Sequence, residues 1–319
     1  MDLSIIIVNW NSKDYLQKCI ASVLSWTSAI NFEIVVIDSA SYDGVDKMLK
    51  HDYPQVRFIQ SDSNLGFAKA NNVAFRMSTG NHVLFLNPDT ELTSPAINTL
   101  FEYIQMLPKA GAIGCKLLNA DRSVQTSCIQ AFPTILNQSL NSEFLRNLCP
   151  KSKLWGMASL FCDKDEAAEV DVISGACLMM PRSLFEQVKF FSEDYFMYAE
   201  DVDLCYKIRQ VGYTNYFIPS ATIIHFGGGS SEKAPSDFSV VMMRESKWRF
   251  MKKNRGEIYA LAYRASIVIS AVSRLLLLIM LLPLYSHRQN VPAWNTSLKK
   301  WWAILIWGLG IKRAASNQS

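Results

Sequence analysis

The chain has 319 residues, 50% of them hydrophobic and 12% aromatic, enough to bury a large core and too apolar for global disorder. Its net charge of +4 hides an asymmetry: from Arg244 onward there are 13 Lys and Arg against two acids, so the first 243 residues are net acidic. Seven scattered cysteines without a CxxC pair exclude a disulfide or zinc framework and read as reduced, mostly buried thiols.

Residues 3–8 are a β-branched run that reads as a first strand and not as a signal peptide. After Asn9-Trp10-Asn11-Ser12, Leu16, Cys19, Ile20, Val23 and Leu24 recur at helical spacing, with Ser12 as the expected N-cap. Residues 32–37 make a second strand, closed by Asp38-Ser39-Ala40-Ser41-Tyr42-Asp43-Gly44; a short helix and a third strand at 56–59 follow. Asn64-Leu65-Gly66-Phe67-Ala68 opens a helix leading to Gly80, and the apolar run 83–86 is a buried strand stopped by Asn87-Pro88-Asp89. This alternation over residues 1–118 predicts βαβ units and a parallel sheet.

Asp38 and Asp89 both fall at strand carboxyl ends, on the rim where open α/β sheets place ligands. Asp89 has two readings: it holds a divalent cation that in turn holds a diphosphate, or it caps a helix beginning near Ser94. There is no GxGxxG after the first strand and no GxxxxGK[ST], so a dinucleotide oxidoreductase or a P-loop enzyme is poorly supported.

Residues 119–170 read as loops and short elements on the acceptor side, with an acidic patch at 163–171. An apolar strand is expected at 170–181, interrupted by Ser174-Gly175-Ala176, where small residues either admit a substrate or form a simple bulge. From Asp201 onward, Leu204, Cys205, Ile208 and Val211 lie at helical spacing and Gly212 suits the stop. Glu200, Asp201 and Asp203 therefore crowd one first turn, either as favourable helix-dipole charges or as a site containing a general base. Residues 221–224 form a last strand ending in His225.

In order along residues 3–253, these motifs resemble the family 2 nucleotide-sugar glycosyltransferases of the GT-A fold, and more closely the bacterial rhamnosyltransferase branch. The resemblance implies an α/β fold, a mixed and mainly parallel sheet flanked by helices, with a catalytic domain over 1–243. Its nucleotide-sugar half would be 1–118 and its acceptor half 119–243. It implies that Val8, Asn9, Asn11, Asp38, Ser41, Asn64, Gly66, Phe67, Asn71 and Asn87 line the nucleotide-sugar. Asn87-Pro88-Asp89 is similar to the metal-binding DxD motif, and His225 with Gly227-Gly228-Gly229-Ser230-Ser231 resembles H-x-G-G-S, so Asp89 and His225 would bind Mg²⁺ or Mn²⁺. Glu200-Asp201 resembles the ED pair whose Asp is the base, with Glu200 beside it and Ser174, Gly175 and Asp203 facing the acceptor. Two departures stand out: Ser39 replaces the usual Asn, and Asn87 replaces the first Asp of DxD. No QxxRW motif appears, which points to one sugar per encounter. The implied reaction is inverting transfer of L-rhamnose from dTDP-rhamnose, or of another UDP- or dTDP-sugar (a hexose or galactofuranose), to a lipid-linked saccharide; a non-catalytic membrane-bound binder is the alternative.

The segment 244–319 is expected to be a basic, apolar, membrane-associating tail. Residues 258–284 carry only Arg264 and Arg274 as charges, with Ser266, Ser270, Ser273 and Arg274 on one helical face. The uncharged run 275–286 is too short to span a bilayer, which needs about 20 residues. A second apolar segment at 301–311 lies between Lys299-Lys300 and Lys312-Arg313. Two helices lying in the cytoplasmic leaflet of a bacterial inner membrane fit this pattern, as does a helical pair packed on the catalytic domain. Aromatics among the basic residues of 244–255 also suit nucleic acid, but the apolar segments that follow favour lipid, so no nucleic-acid partner is expected.

Overall fold

Strand β1 (Leu3–Asn9) is buried at every position but Val8, as its apolar run requires when a sheet is covered on both faces. In the computed structural model, which describes residues 1–162, 165–227, 236–281 and 291–311, β1 pairs in parallel with β2 (Phe32–Ser39) and β4 (His82–Leu86). Strand β3 (Arg57–Ser61) continues the parallel set beside β2. Helices α1 (Lys13–Trp26), α2 (Val45–Asp52) and α3 (Gly66–Arg76) provide the crossovers, so the βαβ reading of the first half holds. Ser12 does take the cap position of α1, but its hydroxyl donates to the Trp10 carbonyl and makes no cap bond.

The chain leaves Asp89 into β5 (Thr90–Leu92), and α4 (Ala96–Met106) starts after Pro95 without a side-chain cap. Asp89 is therefore not a helix cap, and that reading is overturned. Strand β6 (Ala110–Leu118) follows, then short elements: β7 (Ile129–Gln130), α5 (Ile135–Ser139), α6 (Glu143–Leu148) and β8 (Ala168–Val170). The single strand expected at 170–181 is two. β9 (Val172–Ile173) pairs with β7 in a small separate sheet, and β10 (Cys177–Pro181) enters the main sheet antiparallel to β4 and β6. Helices α7 (Arg182–Gln187) and α8 (Glu200–Gln210) precede β11 (Thr214–His225), which runs parallel to β6 and antiparallel to β5 and β8. The main sheet has the order β3-β2-β1-β4-β10-β6-β11-β5, with β8 paired to β11 off that path. It is a mixed, mostly parallel sheet with helices around it.

Three helices complete the described chain: α9 (Ser236–Arg255), α10 (Glu257–Met280) and α11 (Val291–Gly308). The expected division at 243/244 falls inside α9, whose Phe250 and Met251 are fully buried against the body. The 275–286 run does not stand alone: residues 275–280 end the 24-residue α10, and 282–286 lie outside the described residues, as do Lys312 and Arg313. By length and composition α10 could cross a membrane, with a mean hydropathy of 1.7. Both of its arginines point inward. Arg264 donates to the Trp307 and Gly308 carbonyls at the end of α11, where a cation suits the helix dipole. Arg274 donates to the Ser139 and Asn141 carbonyls, and Ser270 also donates to Ser139. The polar face of α10 thus packs on α5, while Ile258, Leu261, Ile269, Leu276, Ile279 and Met280 form an outward stripe, each more than half exposed. The buried residues of α10 are Ala260, Tyr263, Ile267, Ala271 and Leu275, so the helix is apolar on both sides, unlike one on a water-exposed surface.

Candidate active site

The β2 end of the rim is built around Asp38. Its carboxylate accepts from Asn9 Nδ2 (2.7 Å), Gln60 Nε2 (2.9 Å), the amides of Ser41 (3.0 Å) and Tyr42 (3.3 Å), and the Ser41 hydroxyl. Burial pushes this carboxyl up, but the donors, Ser41 foremost, outweigh burial and hold it below the usual range. Asn9, Asp38 and Asn71 are at most 1% exposed, so they shape the floor and offer little surface to a nucleotide. Asn71 donates to its own helix at the Phe67 carbonyl. The partly exposed members of the expected set are Val8, Asn11, Ser41, Asn64, Phe67 and Asn87. Ser39, in place of the usual Asn, earns a role of its own: its hydroxyl accepts from the Leu65 amide (2.8 Å) and donates to Asn64 Oδ1 (3.3 Å), joining two rim loops.

At the end of β4, Asp89 Oδ1 lies 3.3 Å from His225 Nε2, and Asn87 Nδ2 lies 3.2 Å from the same nitrogen. Gln125 Oε1 is 2.7 Å from His225 Nδ1, a pairing that orients the ring and favours the Nδ1–H tautomer when a cation sits between Nε2 and Asp89. Among the described residues no three His, Cys, Asp or Glu side chains group as a closed metal cage. One carboxylate and one imidazole fit a divalent cation whose other ligands are diphosphate oxygens and water. Gly228 to Ser231 of the H-x-G-G-S resemblance lie outside the described residues.

The Glu200-Asp201 pair sits at the start of α8, entered through Tyr198 and Ala199 in the left-handed region (φ 67° and 64°), a strained approach for non-glycine residues. Asp201 Oδ2 accepts from the Gly175 amide (3.1 Å) and Oδ1 from the Val202 amide (2.8 Å). Burial raises the Asp201 carboxyl, against these amide bonds and the nearby Lys247 charge. Glu200 is 7% exposed, its Oε2 has no partner, and burial with the Asp201 charge pushes it to about 8. A Cβ on Gly175 would stand 3.3 Å from the Phe67 ring and 3.6 Å from Asp201 Cβ, so this glycine is the joint where three motifs meet. Gly66 (φ 70°) makes a second joint: a Cβ there would stand 2.3 Å from the Phe196 carbonyl, just ahead of the α8 start.

Asp203 does not face an acceptor. It is fully buried and accepts from Ser192 Oγ (2.6 Å), Tyr195 OH (3.3 Å), Lys253 Nζ (3.1 Å) and Asn254 Nδ2 (3.4 Å). Its role is corrected to a tie between α8, the 192–195 loop and α9. Ser174 remains partly exposed beside Gly175. Sequence reasoning missed Gln125, which orients His225, and Lys247, whose charge reaches Asp201. Gln125 carries no motif, and Lys247 reads as one more basic residue of the tail.

Solved structures share this architecture. The mannosyltransferase PcManGT from Pyrobaculum calidifontis, solved with GDP-Man and Mn²⁺, matches at a TM-score of 0.60 and 18% identity over 98% of this chain and 88% of its own. GalNAc-T7 with UDP, GalNAc and Mn²⁺ matches at 0.57 and 17% over 79% of this chain and 48% of its own. The fold is GT-A. The model for Glycosyl transferase family 2 matches residues 4–189, and that for Glycosyl transferase family group 2 matches 154–311. The chain belongs to glycosyl transferase family 2. Among curated relatives, the N-acetylglucosaminyl-diphospho-decaprenol L-rhamnosyltransferase of Mycobacterium tuberculosis is 29% identical, covering 73% of this chain and 79% of its own. The rhamnosyltransferase WbbL of Escherichia coli is 26% identical, covering 70% and 82%.

Proposed function

We propose that this glycosyltransferase moves a single L-rhamnose from dTDP-rhamnose, with inversion, onto a lipid-linked saccharide at the cytoplasmic face of the bacterial inner membrane. The observation that carries the reading is the position of Asp201, half-buried beside the buried Glu200 and aimed by the Gly175 and Val202 amides. A carboxylate so placed takes the proton of an acceptor hydroxyl as that oxygen attacks the sugar. The names of the two rhamnosyltransferase relatives support the donor sugar, and that of the mycobacterial one supports a diphospho-lipid acceptor. Asp89 and His225 would hold Mg²⁺ or Mn²⁺, in keeping with the Mn²⁺ of the solved neighbours. When bound, the cation neutralises charge on the departing nucleoside diphosphate.

The division of labour proposed is a catalytic domain over 1–243 and a membrane-associating tail over 244–319, with α9 bridging them. The outward apolar stripe of α10 is read as the surface that enters the lipid interface. The test is a donor panel with detergent-solubilised protein, Mn²⁺ or Mg²⁺, and lipid-linked acceptor. Acceptor-dependent nucleoside diphosphate release from dTDP-rhamnose alone supports the reading. Release only from a UDP-hexose assigns another donor, and silence with every donor overturns the enzyme.

A further inference from the structure

Helix α9 turns a second group of charges toward the site, one that the sugar-transfer chemistry leaves unused. Arg244 and Lys247 stand one helical turn apart and are 7% and 9% exposed. Lys247 Nζ donates to Gln138 Oε1 of α5 (2.8 Å). Arg274 of α10 approaches the same seam, donating through Nη2 to two main-chain carbonyls and lying 4.2 Å above the Trp301 ring. These cations thus meet neutral oxygens and a ring, and the described residues give none of the three a salt bridge. Arg244 Nη1 and Arg274 Nη1 are both buried with no hydrogen-bond partner. The groups act on one another: burial, then the Arg244 charge, lowers Lys247 to about 7, and the same two causes lower Arg274.

Three clustered cations with no salt bridge, two of them buried and two guanidinium donors unsatisfied, call for an anion rich in acceptor oxygens. The planar guanidinium matches phosphate oxygens in particular. Position narrows the choice. Lys247 is close enough to Asp201 for their charges to interact, whereas Asp89 and His225 at the end of β4 are the groups suited to the donor's diphosphate. Arg274 sits on the packed face of α10, whose other face is the exposed apolar stripe.

We propose that Arg244, Lys247 and Arg274 form the binding site for the diphosphate that joins the acceptor's sugar to its lipid. The order base, buried cations, apolar surface matches the order sugar hydroxyl, diphosphate, prenyl chain in such an acceptor. The proposal rests on the lipid-linked acceptor reading above.

The test compares the full chain with Arg244→Gln and Arg274→Gln, and with Arg244→Lys, which keeps the charge and loses the fork. Two acceptors are offered in detergent: N-acetylglucosaminyl-diphospho-prenol and an uncharged alkyl N-acetylglucosaminide. Wild type should show a KM for the diphosphate acceptor lower by about tenfold or more, the scale of one charge-assisted hydrogen bond. That preference should collapse in both Gln variants and return in part in Arg244→Lys. An unchanged preference in folded variants overturns the site. Loss of binding to phosphatidylglycerol vesicles with the preference intact would assign the cations to a lipid headgroup instead, and also overturns it. Calorimetry with the diphosphate acceptor, in EDTA and without donor, reads the site independently of catalysis. If no donor is turned over, the enzyme reading fails while the calorimetric loss in the variants still decides this one.

Discussion

The Gly175 amide donates to Asp201 Oδ2 at 3.1 Å, and the next residue, Ala176, accepts from the Asn87 amide at 2.9 Å. One turn of chain therefore positions the proposed base and the metal-side loop together. It lies where the sequence changes from β9 to β10, so the break between two strands is what couples the two halves of the site.

Glu200 should make stability fall as pH rises. Its folded value of about 8 stands above the ordinary value of 4.5, so the native state holds the extra proton between them. This group's stabilising effect is complete below about 4.5 and is lost progressively as pH climbs to about 8. Glu200→Gln should flatten that slope, measured as Tm between pH 5 and 9 relative to wild type.

Gln125 Oε1 lies 2.7 Å from His225 Nδ1 and, with a metal on Nε2, accepts from the Nδ1–H. Gln125→Leu frees the ring to take the other tautomer, and outer partners of metal ligands typically contribute about 10–100-fold in affinity. The Mn²⁺ concentration giving half-maximal activity should rise on that scale, while nucleotide-free Tm stays close to wild type.

Asp203→Asn should destabilise the fold, since Lys253 and the half-buried Lys207 would lose their carboxylate. Breaking a buried pair on one side costs about 3–5 kcal/mol, readable as a shift in the urea midpoint. If Asp203 instead bound acceptor, the same variant would raise the acceptor KM and leave the midpoint in place.

Much of the first half was legible because its signals are local. Apolar runs ending at Asp38 and at Asn87-Pro88-Asp89 state both the strand and the rim position. Burial within the rim was not legible. Asn71 and Asp203 carry the same residue types as site residues, yet distant partners such as Lys253 and Asn254 enclose Asp203. The packing of α10 was hidden for the same reason, because Ser270 and Arg274 are satisfied by the Ser139 carbonyl of α5 more than a hundred residues away.

The outward stripe of α10 predicts lipid binding independent of catalysis. Ile269 and Leu276 are 69% and 56% exposed, so Ser at both removes apolar surface without opening the core. Full burial of each such side chain is worth roughly 1.5–3 kcal/mol, so vesicle flotation should weaken by tenfold or more. Activity on a short, soluble acceptor should persist.

The most direct test of the central claim is single-turnover sugar transfer by Asp201→Asn, with unfolding measured alongside. The account predicts a folded protein that binds donor and transfers sugar roughly 10²–10⁴ times more slowly, the usual contribution of a general base. Transfer near the wild-type rate in that folded variant would place the base elsewhere and contradict the account.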